Sequence, residues 1–194
     1  MPQVSSKKEL RLAMVTRRRS VDHHLQRTRS ERACICLLDL LKGAERIGVY
    51  AAVRGELDLS LFIARTGAQI AFPRAWPATH RLTFHWSSEC PKTTGAYGIA
   101  EPSVDSPVAA PELLQVILVP GAAFTTKGGR LGMGGGYYDR YLKTLPSSVL
   151  IVGVGYDWQI VPCVFSETHD ITMTHVLTEE RTICVAEAAL SRSM

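Results

Sequence analysis

Three short apolar runs constrain this chain more than any other feature: residues 47–53 (IGVYAAV), 116–119 (VILV) and 149–154 (VLIVGV). None alternates with polar residues, so each predicts a strand buried on both faces. After the first run, Leu59, Phe62, Ile63 and Thr66 recur at helical spacing, Gly67 stops the helix, and 69–72 reads as another strand. Strand, helix, strand in that order predicts a βαβ unit and a parallel sheet, hence an α/β fold.

The flanking segments agree with that class. Ser6-Lys7-Lys8-Glu9 reads as a capping box, with Ser6 capping and Glu9 reaching back, and Leu10, Ala13 and Met14 then form one apolar stripe. Lys7 and Arg11, four residues apart, project from one face of that helix. A second helix is expected over about 22–41, with Gly43 as its stop. Residues 82–86 (LTFHW) predict a strand, antiparallel to its neighbour, and 91–111, which carries four prolines, reads as a long connection. A helix is expected over 136–145 and a last strand over 182–185. There is no internal repeat and no second domain boundary, so 1–194 is read as one domain.

Composition narrows the function classes. No apolar run approaches the roughly 20 residues of a spanning helix, and no apolar segment follows the basic N-terminus as in a signal peptide. A cytoplasmic chain with no membrane partner is therefore expected. Cys34, Cys36, Cys90, Cys163 and Cys184 form no CxxC and no metal-binding spacing, which suits incidental thiols in a reducing compartment. The net charge of +4 is uneven: nine Lys and Arg residues lie between Lys7 and Arg32. Of these, Arg17-Arg18-Arg19 reads as a surface turn between helices. Such a segment can meet nucleic acid or a polyanionic small ligand. The first option lacks the interleaved aromatics it would need, so no nucleic-acid partner is expected.

The densest chemistry lies in Arg130-Leu131-Gly132-Met133-Gly134-Gly135-Gly136-Tyr137-Tyr138-Asp139. Clustered glycines before a helix let backbone N–H groups approach an anion, and a phosphate fits there. Arg130 adds a guanidinium for phosphate oxygens. Tyr138, Tyr141, Leu142 and Leu145 make the core-facing stripe of the helix, and Asp139 falls off it, beside the glycines. A carboxylate next to a phosphate calls for a cation, and Mg²⁺ held by one or two carboxylates plus phosphate oxygens supplies one. The spacing is neither a Walker A motif nor a dinucleotide fingerprint. Glu56 is a second candidate, a carboxylate at the C-terminal end of a strand, where open α/β sheets bind ligands. His169 could be catalytic, but a neutral His that orients Asp170 or a neighbouring loop is the favoured reading. One of Trp76, Trp86 and Trp158 could stack on a ligand ring.

Val119-Pro120-Gly121-Ala122-Ala123-Phe124 followed by Gly129 to Arg140 resembles the signature of the 5-formyltetrahydrofolate cyclo-ligase family. The likeness extends to Lys7-Lys8-Glu9-Leu10-Arg11, Glu56-Leu57-Asp58, Tyr97 to Pro102 and Glu167-Thr168-His169-Asp170, in that family's order. The resemblance implies a three-layer α/β sandwich with a mostly parallel, Rossmann-like sheet. It implies ATP-dependent cyclisation of 5-formyltetrahydrofolate to 5,10-methenyltetrahydrofolate, through phosphorylation of the formyl oxygen and attack by N10. The implied ATP contacts are Lys7, Lys8, Glu9, Leu10, Arg11 and the run from Arg130 through Leu131, Gly132, Met133, Gly134, Gly135 and Gly136 to Tyr137 and Tyr138. Lys7 and Arg130 would also be catalytic. Folate would meet Arg11, Ala51, Glu56, Met133, Gly134, Gly135, Gly136 and Tyr137, and Asp139 and Asp170 would hold Mg²⁺. A monomer is expected. Two positions depart from the pattern: Thr174 and Thr125 stand where acidic residues are usual.

Overall fold

The structure, a computed structural model, describes residues 5–167 and 170–185. Two helices lead, α1 (Lys7–Ser20) and α2 (His23–Leu40), followed by strand β1 (Arg46–Gly48), helix α3 (Ser60–Arg65) and strand β2 (Gln69–Trp76). After these come β3 (Arg81–Trp86), β4 (Thr93–Thr94), β5 (Ala100–Glu101), β6 (Val108–Ala109) and β7 (Val116–Pro120). The chain then forms β8 (Ala123–Phe124), β9 (Arg130–Leu131), α4 (Tyr137–Leu142), β10 (Leu150–Val154), β11 (His175–Leu177) and β12 (Thr182–Cys184).

Eight strands form one sheet in the order β12-β11-β10-β7-β1-β2-β3-β6. The four central pairings, β11–β10, β10–β7, β7–β1 and β1–β2, are parallel, and antiparallel pairs close both sides. The apolar runs that predicted buried strands occupy its middle. Neighbouring residues along them serve opposite faces. Val116, Leu118, Val152, Ile70 and Phe72 pack with α2 and α3, whereas Ile117, Val119, Ile151 and Ala71 pack with Tyr141, Leu142 and Leu145 on the α4 side. Helices on both faces of a mostly parallel sheet make the expected three layers.

Several boundaries differ from the sequence reading. The strand read over 47–53 ends at Gly48, and the chain turns only at Val53, whose carbonyl accepts from Glu56 N–H. Arg54 and Gly55 take left-handed φ values of 53° and 76° in that turn. The long connection 91–111 contains the β4–β5 hairpin and β6, which pairs with β3. Helix α4 is only six residues long. Strand β11, absent from the sequence reading, separates β10 from β12. The capping box is partial: the Ser6 hydroxyl accepts from Glu9 N–H, but the Glu9 carboxylate accepts from the Ser5 N–H and hydroxyl.

The largest correction concerns Arg17-Arg18-Arg19. These residues form the last turn of α1, and Arg18 is 2% exposed. Both acid-for-threonine positions are structural. The Thr174 hydroxyl accepts from Ile151 N–H and donates to its carbonyl. The Thr125 hydroxyl accepts from Gly129 N–H and pins the turn before β9. Among the described residues, no helix is long and apolar enough to cross a membrane.

Candidate active site

Two cavities open beside the C-terminal ends of β1 and β7. One, of about 350 Å³, is walled by Tyr50 and Ala51 after β1, Pro73 of β2, Leu82 of β3, Ile99 and Tyr138. The other, of about 220 Å³, is lined by charged groups: Lys7, Arg11, Arg130, Asp139, Glu167 and Asp170. The glycine segment lies between them. Arg130, Gly132, Gly134, Gly136 and Asp139 line both, so a molecule in either cavity touches the same loop.

Packing explains why the loop sits there. Phe124 is fully buried, and its ring occupies the space that side chains at Gly121, Gly153 and Gly155 would need. A Cβ at these positions would fall 2.7, 2.6 and 2.9 Å from ring carbons. That fit clamps the β8–β9 hairpin against the end of β10 and holds the start of the loop. Gly136, with φ of 65°, ends the loop in the left-handed region and leads into α4. The first helix docks from the other side: Leu10 and Met14 bury against Ala122, Ala123, Leu131 and Val164. Burying two such side chains contributes roughly 1.5–3 kcal/mol each. Docking places Lys7 and Arg11 in the charged cavity, as their common face predicts.

The charged groups arrive paired. Arg130, 5% exposed at its side chain, donates to Asp139 and to the Pro120 carbonyl. Arg11 Nε donates to the Gly132 carbonyl at 2.8 Å. Lys7 Nζ lies 2.6 Å from Glu167 and 3.6 Å from Asp170. The hydrogen bond to Glu167, above all, raises the Lys7 ammonium above its usual 10.5. Two of the three cations thus hold carboxylates, and the cavity brings Asp139, Glu167 and Asp170 together around them. Among the described residues, no cluster of three His, Cys, Asp or Glu could by itself hold a metal. The donor set instead suits a hard cation bound by one or two carboxylates, with phosphate oxygens and water completing its shell.

In the larger cavity, Glu56 is almost entirely buried and pairs with Arg18, while Val53 N–H donates to its other oxygen at 3.1 Å. Burial raises the Glu56 carboxyl above 4.5, and Arg18, Val53 N–H and Arg54 oppose that rise. Tyr97 and Tyr137 meet hydroxyl to hydroxyl at 2.6 Å, and Tyr137 tilts against His80. Burial also pushes the Tyr138 and Tyr50 phenols well up, so neither ionises near neutral pH.

Most of the candidate residues line one cavity or the other. Ala51, Glu56, Met133, Gly135, Tyr137 and Tyr138 line the larger, and Lys7, Arg11, Leu131 and Asp170 the smaller. Lys8, Glu9 and Leu10 line neither: Leu10 is buried against the body, and the Glu9 side chain serves Ser5. His169 lies outside the described residues. None of the tryptophans lines either cavity; Trp158 stacks on Tyr156 under Arg17 instead. The rings in the larger cavity are tyrosines and His80. Arg18, passed over as a surface cation, belongs to its wall.

Comparison with known proteins bears on this site. Residues 3–179 match the model of the 5-formyltetrahydrofolate cyclo-ligase family. A protein named 5-formyltetrahydrofolate cyclo-ligase from Mycolicibacterium smegmatis is 32% identical over 92% of this chain and 96% of its own length. The protein of the same name from Escherichia coli K12 is also 32% identical, over 71% of this chain and 80% of its own. The solved structure of Aquifex aeolicus 5,10-methenyltetrahydrofolate synthetase superposes with a TM-score of 0.81 at 30% identity, covering 93% of each chain.

Proposed function

The chain belongs to the 5-formyltetrahydrofolate cyclo-ligase family, and from that membership we propose that it uses ATP to convert 5-formyltetrahydrofolate into 5,10-methenyltetrahydrofolate, ADP and phosphate. The observation that carries the reading is the glycine loop shared by two unlike cavities. A largely apolar chamber suits the folate ring system, and a charged one suits a triphosphate, so the reacting ends of both substrates meet at residues 130–136. The larger volume lies within the range of small-molecule sites.

The chemistry explains why two substrates must meet. An N-formyl group is amide-like, and ring closure has to expel its oxygen. As hydroxide that oxygen leaves poorly; once it has accepted the γ-phosphoryl group it leaves as phosphate. N10 then attacks the formyl carbon and gives up its proton to solvent, the C–O bond breaks with phosphate leaving, and the methenyl bridge forms. This route needs no protein nucleophile. Its demands are positioning and neutralisation of charge on the transferring group. Arg130 and Lys7 supply cationic donors for it, Arg11 braces the loop through the Gly132 carbonyl, and Glu56 and Ala51 border the folate. Mg²⁺ would be held by Asp139 and Asp170, and when bound it supplies positive charge to the phosphate oxygens. All five cysteines are unpaired, in keeping with a reducing cytoplasmic setting.

An isotope experiment tests the route. With ¹⁸O in the formyl group, the account expects the label in the released inorganic phosphate. Label appearing in water or formate, with unlabelled phosphate, would contradict phosphorylation of that oxygen.

A further inference from the structure

Arg18 is the most deeply buried cation among the described residues, and the mechanism above makes no use of it. It leaves the last turn of α1 with its side chain 2% exposed. Its Nε donates to the Arg54 carbonyl at 3.0 Å, and its Nη1 lies 3.4 Å from Glu56 Oε1. Nη2 is buried without a hydrogen-bond partner. The Arg18 carbonyl in turn accepts from Gln26 Nε2, which ties the turn to α2. Arg18 thereby braces the left-handed turn at Arg54 and Gly55 that carries Glu56. Both Arg18 and Glu56 line the larger cavity.

A charge so buried requires a reason, because an ion pair of this kind is seldom worth more than well-packed apolar residues. We propose that Arg18 is a positioning residue for substrate binding: by pairing with Glu56 it keeps that side chain an acceptor-only carboxylate at the wall of the cavity. The inference rests on the reading of that cavity as the folate site. The aminopyrimidinone edge of a reduced folate offers a ring N–H and an amino group side by side. A carboxylate accepts from both; a protonated acid has a donor where one acceptor should be. Burial drives Glu56 toward the protonated form, so the site needs a nearby cation to resist it. The groups facing Glu56 are few. Arg54, on the same turn, is exposed and screened by water, and Tyr50 beyond β1 and Tyr138 on α4 stay neutral. Arg18 is the one buried cation among them.

The test compares binding of 5-formyltetrahydrofolate to the full chain, as wild type and as Arg18→Met, from about pH 8.5 down to about pH 6. Using one ligand throughout cancels its own titration. The wild-type dissociation constant should stay nearly flat, whereas the variant should weaken roughly tenfold or more as pH falls and Glu56 takes up a proton. Arg18→Lys, which keeps the charge, should restore the flat profile. A purely structural role would weaken binding equally at every pH, and superimposable profiles would overturn the proposal. Should Arg18→Met fail to fold, the infrared difference between wild type and Glu56→Gln at neutral pH decides. An ionised Glu56 is expected there, and a protonated carboxyl band overturns the inference. Wild type that binds no 5-formyltetrahydrofolate at any pH would remove the folate reading and this inference with it.

Discussion

A buried guanidinium held between Asp139 and the Pro120 carbonyl, as Arg130 is, stands ready before any ligand arrives. Asp139 is one-third exposed and looks into both cavities, so its carboxylate can serve a bound cation while still orienting Arg130. Asp139→Asn should accordingly lower kcat by roughly 100-fold or more, on the scale of losing one preorganised charged group, and leave the folate KM within about threefold. Equal losses in both constants would place Asp139 in the support of the loop rather than in turnover. Single residues were legible in the sequence where their chemistry was dense. Arg130, Asp139 and the four glycines stood within ten positions, and all of them line the cavities. Arg18 was not legible, because one arginine in a run of three carries no sign of burial. Its partner Glu56 lies 38 positions away, and only the docking of α1 brings them together. The absence of tryptophan from both cavities was likewise invisible, since aromatic character does not say which wall a ring faces.

Helix α1 is the element on which the charged cavity depends. It brings Lys7 and Arg11 to a loop more than a hundred residues later in the chain. The Lys7–Glu167 pair is partly exposed, so its stabilisation of the fold is worth about 0–1 kcal/mol. A cation touching phosphate contributes more, roughly 1.5–3 kcal/mol per charged hydrogen bond. Lys7→Ala and Arg11→Ala are thus each expected to raise the KM for ATP about tenfold or more, with little change in melting temperature. Unchanged KM values for ATP and folate would return α1 to a solvated basic face. Helices α1 and α2, antiparallel β3 and the parallel strands β1, β2, β7 and β10 were legible in advance. What failed was local. Strand β1 ends at Gly48 although Val49, Tyr50 and Ala51 beyond it stay buried, so burial continues along the apolar run where strand pairing does not. Strands β6 and β11 are two and three residues long, and their pairing is set by the sheet edge they meet rather than by their own sequence.

At the scale of the whole molecule, the fold sets two chambers against one loop. Three layers leave the C-terminal ends of the parallel strands open, α1 closes one side, and the segment around Tyr97 meets α4 on the other. This arrangement was legible as a class, an open α/β sheet with ligands at its strand ends, because the apolar runs and the glycine motif both pointed to it. The separation into an apolar chamber and a charged one was not, since it depends on which side chains each element turns inward. Under the proposed function, a loop wedged between two sites lets neither substrate react without the other. The most direct measurement follows formation of 5,10-methenyltetrahydrofolate from 5-formyltetrahydrofolate by its absorbance, with ATP and Mg²⁺ omitted singly and together. The account predicts product only when both are present, with one ADP released per ring closed. Conversion that proceeds without ATP, or folded protein that binds both substrates and forms no product, would contradict it.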